Sequence, residues 1–154
     1  MRGRAVLLRE AGRFHGHVGP FLAIGLRMGL AANQAIGFDP METRATVWVE
    51  PVPPKSCLVD GIQFATGCTL GKSNIKVTPS RARIAARFVR GKRPKGQGGG
   101  RPTDRAPGAV TLFLRPEFLR RMERDLADKG EKAVIDYARK IMDTPAGELF
   151  EVIL

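Results

Sequence analysis

The residues best suited to metal or acid–base chemistry are the two histidines of the chain, His15 and His17, and its two cysteines, Cys57 and Cys68. The histidines are two positions apart, and in extended backbone such side chains point the same way, so both imidazoles could face one ligand. Neutral imidazole binds zinc, copper, iron and nickel well. A second interpretation stays open, in which one histidine caps the helix that follows and the other is a hydrogen-bonded surface residue.

Two cysteines in a chain of 154 residues are too few for a disulfide framework, so we expect free thiols that either bind metal or are simply buried. If Cys57 begins a short helix and Cys68 follows its end, about ten residues at 1.5 Å each separate them by roughly 15 Å, which is too far for one ion to bind both. The preceding strand runs back toward the histidines, which favours Cys57 as the thiolate beside them, with a pKa lowered by the helix N-terminus. Cys68 could then join only from a second subunit, or line the same cleft.

The segment from Gly67 to Ser73 resembles a phosphate-binding P-loop but has three residues rather than four between its glycines. It is also predicted to join a helix to a strand, whereas a P-loop joins a strand to a helix. The sequence therefore argues against nucleotide hydrolysis. A weaker anion-binding nest of backbone amides stays open. Its residues would be Gly67, Thr69, Gly71 and Lys72.

Two polar residues on the short helix after the first strand, Asp60 and Gln63, are three positions apart and therefore share a face. There they could hydrogen-bond a metal-binding histidine and orient it. They could equally be ordinary polar residues on a helix surface.

The remaining elements are predicted from capping residues and from the spacing of apolar side chains. One mostly buried helix is expected between Pro20 and Gly37, and its Gly25 and Gly29 would let another backbone approach closely. A second helix, capped by Ser56, is expected to end at Gly67. Strands are predicted at 43–50, 74–78, 82–89 and 109–114.

Two further helices are predicted near the C-terminus, one from Pro116 to Gly130 and one that carries Val134, Tyr137 and Ile141 at helical spacing. A last short turn or helix begins at Pro145 and ends in an apolar tail. This order of elements indicates an α+β fold, with a mixed sheet covered by helices, in a single domain over residues 1–154.

The formal charge of +11 is concentrated in residues 81–105, which contain nine basic side chains and one acidic one. This segment overlaps a glycine-rich stretch, so we expect a flexible basic loop at about 90–108. Such a loop could contact nucleic acid or an acidic partner, although it lacks aromatic side chains for base stacking. It could also be a solvated loop that keeps the protein soluble. The excess of arginine over lysine, 18 to 8, is compatible with a heat-adapted source, although such a bias can also reflect base composition.

The sequence carries no recognisable targeting signal, and its longest apolar stretch, 21–36, is interrupted by polar residues and shorter than the roughly 20 that a membrane span needs. We therefore expect a soluble cytoplasmic protein with no membrane contact.

Three blocks of the sequence are together more specific than any one of them. They are Phe14-His15-Gly16-His17 followed by Pro20, Cys57-Leu58-Val59-Asp60-Gly61-Ile62-Gln63, and Gly67-Cys68-Thr69-Leu70-Gly71-Lys72-Ser73-Asn74. In order and spacing they resemble the formylmethanofuran dehydrogenase E-subunit family. The resemblance runs from about Phe14 to Phe150 and covers the N-terminal domain of such proteins, many of which continue into a cysteine-rich zinc ribbon.

The resemblance implies an α+β domain, a homodimer, bound metal (usually zinc) and a link to molybdenum- or tungsten-dependent oxidation of formylmethanofuran in C1 metabolism. Family members commonly have cysteine two positions after the second histidine, where this chain has Gly19. We predict a metal-binding protein that is an accessory to, or part of, such a dehydrogenase, or a small redox-related enzyme, rather than a complete dehydrogenase. Other dehydrogenase subunits are its candidate partners. The predicted ligands of zinc or another divalent transition metal are His15, His17, Cys57 and Cys68. The candidate catalytic residues are Cys68, Lys72 and Asp60.

Two rival functions stay open. One is a noncatalytic module that binds RNA or an acidic partner through the basic loop. The other is a degenerate member of the family whose site has lost its metal.

Overall fold

A computed structural model of the chain describes residues 3–91 and 108–154. The helices in these ranges are α1 (Arg4–His15), α2 (Pro20–Ile36), α3 (Cys57–Thr66), α4 (Pro116–Leu126), α5 (Glu131–Asp143) and α6 (Ala146–Leu149). The strands are β1 (Thr43–Val49), β2 (Ile75–Pro79), β3 (Ala85–Arg90), β4 (Gly108–Leu114) and β5 (Phe150–Ile153). A short 3₁₀ helix, Leu70–Lys72, lies between α3 and β2.

These strands form a mixed sheet in the order β2-β1-β3-β4-β5. β1 and β2 are parallel, with Val47 opposite Val77, and the other neighbouring pairs are antiparallel. The helices pack on this sheet, which confirms the predicted α+β class.

The main core lies between the helices and one face of the sheet. Burial alternates along β1, where Ala45, Val47 and Val49 point inward, as the period of two for a half-buried strand requires. Helix α2 crosses this core and is buried along most of its length, as predicted from its unbroken apolar sequence. On the other face of the sheet the guanidinium of Arg83 lies over the rings of both Trp48 and Phe113.

One buried charge joins α2 to the end of α5. Nη1 of Arg27 donates to the carbonyl oxygens of Ile141, Met142 and Thr144 at 2.6, 3.0 and 2.6 Å. These are carbonyls of the last helical turn and its cap, where helices leave carbonyls without partners. The carbonyl of Ile141 also accepts the amide of Thr144. Arg27 therefore fixes the position of α5 against α2.

Helices α2 and α3 make direct backbone contact through glycines. A Cβ atom built on Gly25 would lie 1.8 Å from the carbonyl oxygen of Leu58, and one built on Gly61 would lie 2.3 Å from that of Leu22. The prediction that another backbone approaches closely is confirmed at Gly25, whereas a Cβ on Gly29 would meet a side chain of α3, 2.5 Å from Cβ of Ala65.

Two elements were not anticipated from the sequence. Helix α1 buries only the narrow stripe of Leu8, Ala11 and Gly12, too little apolar surface to stand out as an amphipathic pattern. The short helix expected from Pro145 is confirmed as α6. The apolar tail after it was not expected to be a strand, but it forms β5, in which Phe150 pairs with Leu114 at the edge of the sheet.

Two capping predictions were wrong. Ser56 is in the helical conformation and its side chain makes no cap hydrogen bond, because the amides of Cys57 and Leu58 already donate to the carbonyls of Pro54 and Lys55. Gly130 does not close α4, which ends at Leu126, but is the residue that precedes α5.

The predicted basic loop at about 90–108 falls almost entirely on residues 92–107, which lie outside the described ranges. Among the helices inside those ranges, none has the length and apolar character required to span a membrane.

We expect Gly25→Ala to destabilise the protein by about 3 kcal/mol or more, the upper range for overpacking, because a backbone carbonyl cannot rotate away from the new methyl group. The free energy of unfolding is measured by urea denaturation. The matched control is Gly147→Ala in α6, where a Cβ meets nothing within 4 Å. That substitution should change stability by less than about 1 kcal/mol. Equal urea midpoints for Gly25→Ala and the natural protein would contradict the assigned contact.

Candidate metal centre

The two histidines flank the end of α1 rather than lying in one extended segment. His15 is the last residue of the helix, and Gly16 follows in the left-handed conformation, with φ of 109°, while its amide donates to Gly12. Only glycine adopts this conformation easily. The sharp turn brings the two rings together edge to face, with centroids 4.6 Å apart. The side chains converge as predicted, but through a helix cap instead of an extended strand.

The third member of the site comes from α3. Cys57 is the first residue of that helix. One ligand atom from each of His15, His17 and Cys57 lies within 4.8 Å of the other two, close enough for the three residues to hold one metal ion. We refer to these residues as the cluster. His17 is exposed and the other two are half-buried, so the cluster lies at the surface of the protein.

A carboxylate fixes the orientation of His15. Nδ1 of His15 lies 2.5 Å from Oδ2 of Asp60. An ionised carboxylate only accepts hydrogen bonds, so Nδ1 is the donor in this contact, and in the neutral form of the ring Nε2 then has a free lone pair. This contact confirms the prediction that Asp60 partners a histidine. It is also the arrangement by which carboxylates orient metal-binding imidazoles.

The free nitrogen of His15 tests whether a metal fits the cluster. Nε2 is buried and has no hydrogen-bond partner among residues 3–91 and 108–154. Buried polar atoms are nearly always partnered, so this one calls for an explanation. A metal ion bound also by His17 and Cys57 would satisfy it. The residues present therefore fit a metal.

Gln63, one turn beyond Asp60 on α3, connects the carboxylate to the next segment of the chain. Its Nε2 donates to Oδ1 of Asp60 at 3.2 Å, and its Oε1 accepts the amide of Leu70 at 3.1 Å. Helical spacing placed Gln63 and Asp60 on one face, but Gln63 was expected to contact a histidine, and it contacts Asp60 instead. Nothing in the sequence indicated the second contact, since Leu70 carries an apolar side chain.

The pKa of the Cys57 thiol is shifted in the direction opposite to the one expected from the sequence. Burial, followed by the negative charge of Asp60, raises its pKa above the ordinary value. The predicted lowering by the helix N-terminus is wrong, because the favourable backbone contact is weaker than these two effects. Without metal, the cysteine is therefore mostly a neutral thiol near neutral pH.

The structure does not bring Cys68 to the cluster. Its side chain is completely buried, and Sγ donates to the carbonyl of Thr43 at 3.4 Å. Burial also raises the pKa of this thiol. A thiol enclosed in this way cannot be presented to a second subunit or to a substrate. Its predicted roles as a shared ligand and as a reactive thiol therefore need correction.

The predicted anion nest is also not supported. The amides of Cys68, Thr69 and Leu70 donate to the side chains of Thr66, Asn74 and Gln63.

The side chain of Lys72 is exposed and folds back onto its own turn. Its Nζ donates to the carbonyl of Gly67 and, at 2.9 Å, to Oγ1 of Thr69. Its own amide donates to the carbonyl of Thr69. The amides of Gly67, Thr69 and Lys72 thus have partners within the protein, and the catalytic role predicted for Lys72 gains no support.

Gly19 lies directly beside the cluster. A Cβ atom built on it would be 3.5 Å from Cε1 of His17, which is an ordinary contact, and its backbone is extended, with φ of −147°. Any side chain could adopt this conformation, and it would point at the imidazole. The missing side chain therefore leaves space beside one ligand of the cluster.

We expect iodoacetamide to alkylate Cys57, but not Cys68, in the folded, metal-free protein. The rate should rise with pH, and Asp60→Asn should shift this profile to lower pH, because removing the carboxylate charge lowers the pKa of Cys57. Below the pKa, the rate should increase by up to about tenfold, the change in thiolate fraction for one pKa unit.

The matched control for this substitution is Asp136→Asn on the exposed face of α5, which should leave the profile unchanged. Mass spectrometry of tryptic peptides identifies the labelled cysteine. Labelling of Cys68 at the rate of Cys57 would contradict the assigned burial.

Comparison with known proteins identifies the family of the chain. Residues 14–151 match the family described as "FmdE, Molybdenum formylmethanofuran dehydrogenase operon". A 71-residue stretch, 45% of the chain, is 42% identical to a protein of Archaeoglobus fulgidus named "Probable S-adenosyl-L-methionine-binding protein". This stretch spans 19% of that longer protein. Because the family match covers most of the sequence and includes the whole cluster, the chain belongs to the FmdE family, the formylmethanofuran dehydrogenase E-subunit family.

Proposed function

We propose that this protein binds a divalent transition metal, zinc or a chemically similar ion, through His15, His17 and Cys57, and acts as an accessory in formylmethanofuran-type C1 oxidoreduction. The observation that carries the metal assignment is the buried, unpartnered Nε2 of His15, held toward the cluster by the contact of Nδ1 with Asp60.

The donor set supports this class of metal. Two imidazoles and one thiol suit zinc and its transition-metal neighbours, whereas calcium and magnesium prefer oxygen ligands. Three protein ligands are also the number found where zinc keeps a position for an exchangeable ligand. The space beside His17 at Gly19 supports such an open position.

Each residue has a separable task in this proposal. His15 and His17 bind as neutral ligands, and Cys57 binds as a thiolate, which requires its proton to leave when the metal arrives. Asp60 holds His15 in the tautomer that can bind. A metal bound here would polarise an oxygen or sulfur group placed at its open position.

The link to C1 oxidoreduction rests on membership of the family, and it concerns an accessory role. We do not extend the proposed function to binding of S-adenosyl-L-methionine, the property in the name of the Archaeoglobus protein, because the matched segment is only 19% of that protein.

We expect the purified protein to bind one equivalent of zinc or Co²⁺ per chain. His17→Ala and Cys57→Ser should abolish tight binding, since each removes a ligand. Asp60→Asn should weaken binding by about 10- to 100-fold, as is typical when a ligand loses its orienting partner. Metal content is measured by mass spectrometry after dialysis, and affinity by competition with a chromophoric chelator.

Cys68→Ser serves as the matched control for Cys57→Ser and should retain full affinity. Failure of the natural protein to take up metal would contradict the proposal. Loss of metal in Cys68→Ser to the same extent as in Cys57→Ser, with its folded circular dichroism unchanged, would contradict the ligand assignment.

Gly19→Cys tests the open position. Its thiol should add a fourth ligand beside His17 and raise the affinity by about tenfold or more, which corresponds to 1.4 kcal/mol. The Co²⁺ form should show stronger thiolate charge-transfer absorption. Gly19→Ala fills the same space without a donor and should match the natural protein. No difference between the two variants would mean that position 19 does not reach the metal.

The accessory role predicts that the tagged chain, expressed in its source cells, copurifies with subunits of a molybdenum- or tungsten-dependent dehydrogenase. A control carrying the tag on an unrelated protein corrects for nonspecific capture. Recovery of the chain without any such subunit would contradict this part of the proposal and leave the metal assignment intact.

A further inference from the structure

A continuous series of hydrogen bonds leads from the cluster to an exposed turn. It begins at Nδ1 of His15, passes through both oxygens of Asp60 and both polar atoms of Gln63, and ends at the backbone amide of Leu70. The three contacts measure 2.5, 3.2 and 3.1 Å. Every polar atom of the Asp60 and Gln63 side chains thus takes part.

The far end of this series is at the surface. Leu70 is 79% exposed, and it begins the 3₁₀ helix Leu70–Lys72. The other end of the turn is anchored by Asn74, whose Oδ1 accepts the amide of Thr69 and whose Nδ2 donates to the carbonyls of Pro40 and Thr43. The turn is therefore tied to the sheet through Asn74 and to the cluster through Gln63.

We infer that Gln63 is a positioning residue that transmits the position of the Leu70 turn to His15 through Asp60, so that the turn helps to set the metal affinity of the cluster. This inference rests on the proposed metal binding.

The amide side chain is the one that suits this position. Its NH₂ group donates to a carboxylate, and its carbonyl oxygen accepts from a backbone amide. Glutamate would face Asp60 with a second negative charge, and leucine would make neither contact. Without Gln63, the carboxylate of Asp60 loses the hydrogen bond that fixes its orientation. The imidazole of His15, which is oriented by that carboxylate, is then less well oriented too.

The sharpest test removes the amide hydrogen of Leu70, the last donor in the series of hydrogen bonds. Leu70→Pro deletes the amide donor to Gln63, and proline fits the first position of a helical turn. The preceding residue, Thr69, is already extended, with ψ of 155°, as a residue before proline must be. Leu70→Ala is the matched control, since it removes the exposed side chain and keeps the amide.

We expect Leu70→Pro to weaken Co²⁺ or zinc binding by about fivefold, the effect of one net hydrogen bond, while Leu70→Ala binds normally. Gln63→Leu should weaken binding by at least as much, and Gln34→Leu, at an exposed glutamine of α2, should have no effect. Leu70→Pro and Gln63→Leu should also shift the d–d absorption of bound Co²⁺, which a loss of stability without a change at the ligands would not.

A second readout does not depend on metal. Nitrogen-15 NMR of the imidazoles in the metal-free protein, at a pH where both rings are neutral, reports which nitrogen of His15 carries the proton. The natural protein and Leu70→Ala should show it on Nδ1, with Leu70→Pro and Gln63→Leu shifted toward a mixture of tautomers.

The outcomes separate this inference from the proposed function. If the natural protein binds metal while Leu70→Pro and Gln63→Leu match it in affinity, spectrum and tautomer, the coupling is wrong and the metal site stands. If the natural protein binds no metal, the proposed function is wrong, and the tautomer measurement alone decides whether the turn positions His15.

Discussion

Because Gly25 and Gly61 have no side chains, the backbones of α2 and α3 touch directly, and this contact determines where the other parts of the site lie. A Cβ on either glycine would overlap a backbone oxygen of the opposite helix. Helix α2 is held in turn by the core and by the bond of Arg27 to the end of α5. Helix α3 therefore has little freedom, and its first turn, with Cys57 and Asp60, is presented to the end of α1.

Three local features determine the geometry of the cluster and the access to it. The left-handed Gly16 turns His17 back toward His15. The contact of Nδ1 with Asp60 orients His15 and leaves Nε2 available to a metal ion. The absence of a side chain at Gly19 keeps space open beside His17. The chain thus supplies orientation and access, while the reactivity proposed for the site would come from the metal.

Sequence reasoning reached the fold class and most of the site, and its errors have identifiable causes. The spacing of apolar residues and the caps at Pro20 and Gly67 define local elements, so α2, α3 and the first strands were predicted close to their observed bounds. Two elements were missed. Helix α1 buries too narrow a stripe of residues to show a helical pattern in the sequence, and β5 depends on pairing with β4, which is distant in the sequence. The pKa of Cys57 depends on burial and on Asp60, and the contact between Gln63 and Leu70 uses a backbone amide; no side-chain pattern encodes either.

The members of the site are far apart along the chain, since His15 and Asp60 are separated by 45 positions. An unfolded chain does not hold such groups together, so an ion that binds the cluster binds the native state and shifts the folding equilibrium toward it. The ion would act as a reversible crosslink between the end of the first helix and the start of the third. For a cell short of the metal, the same protein would then be both inactive and less stable, and its abundance would follow metal supply.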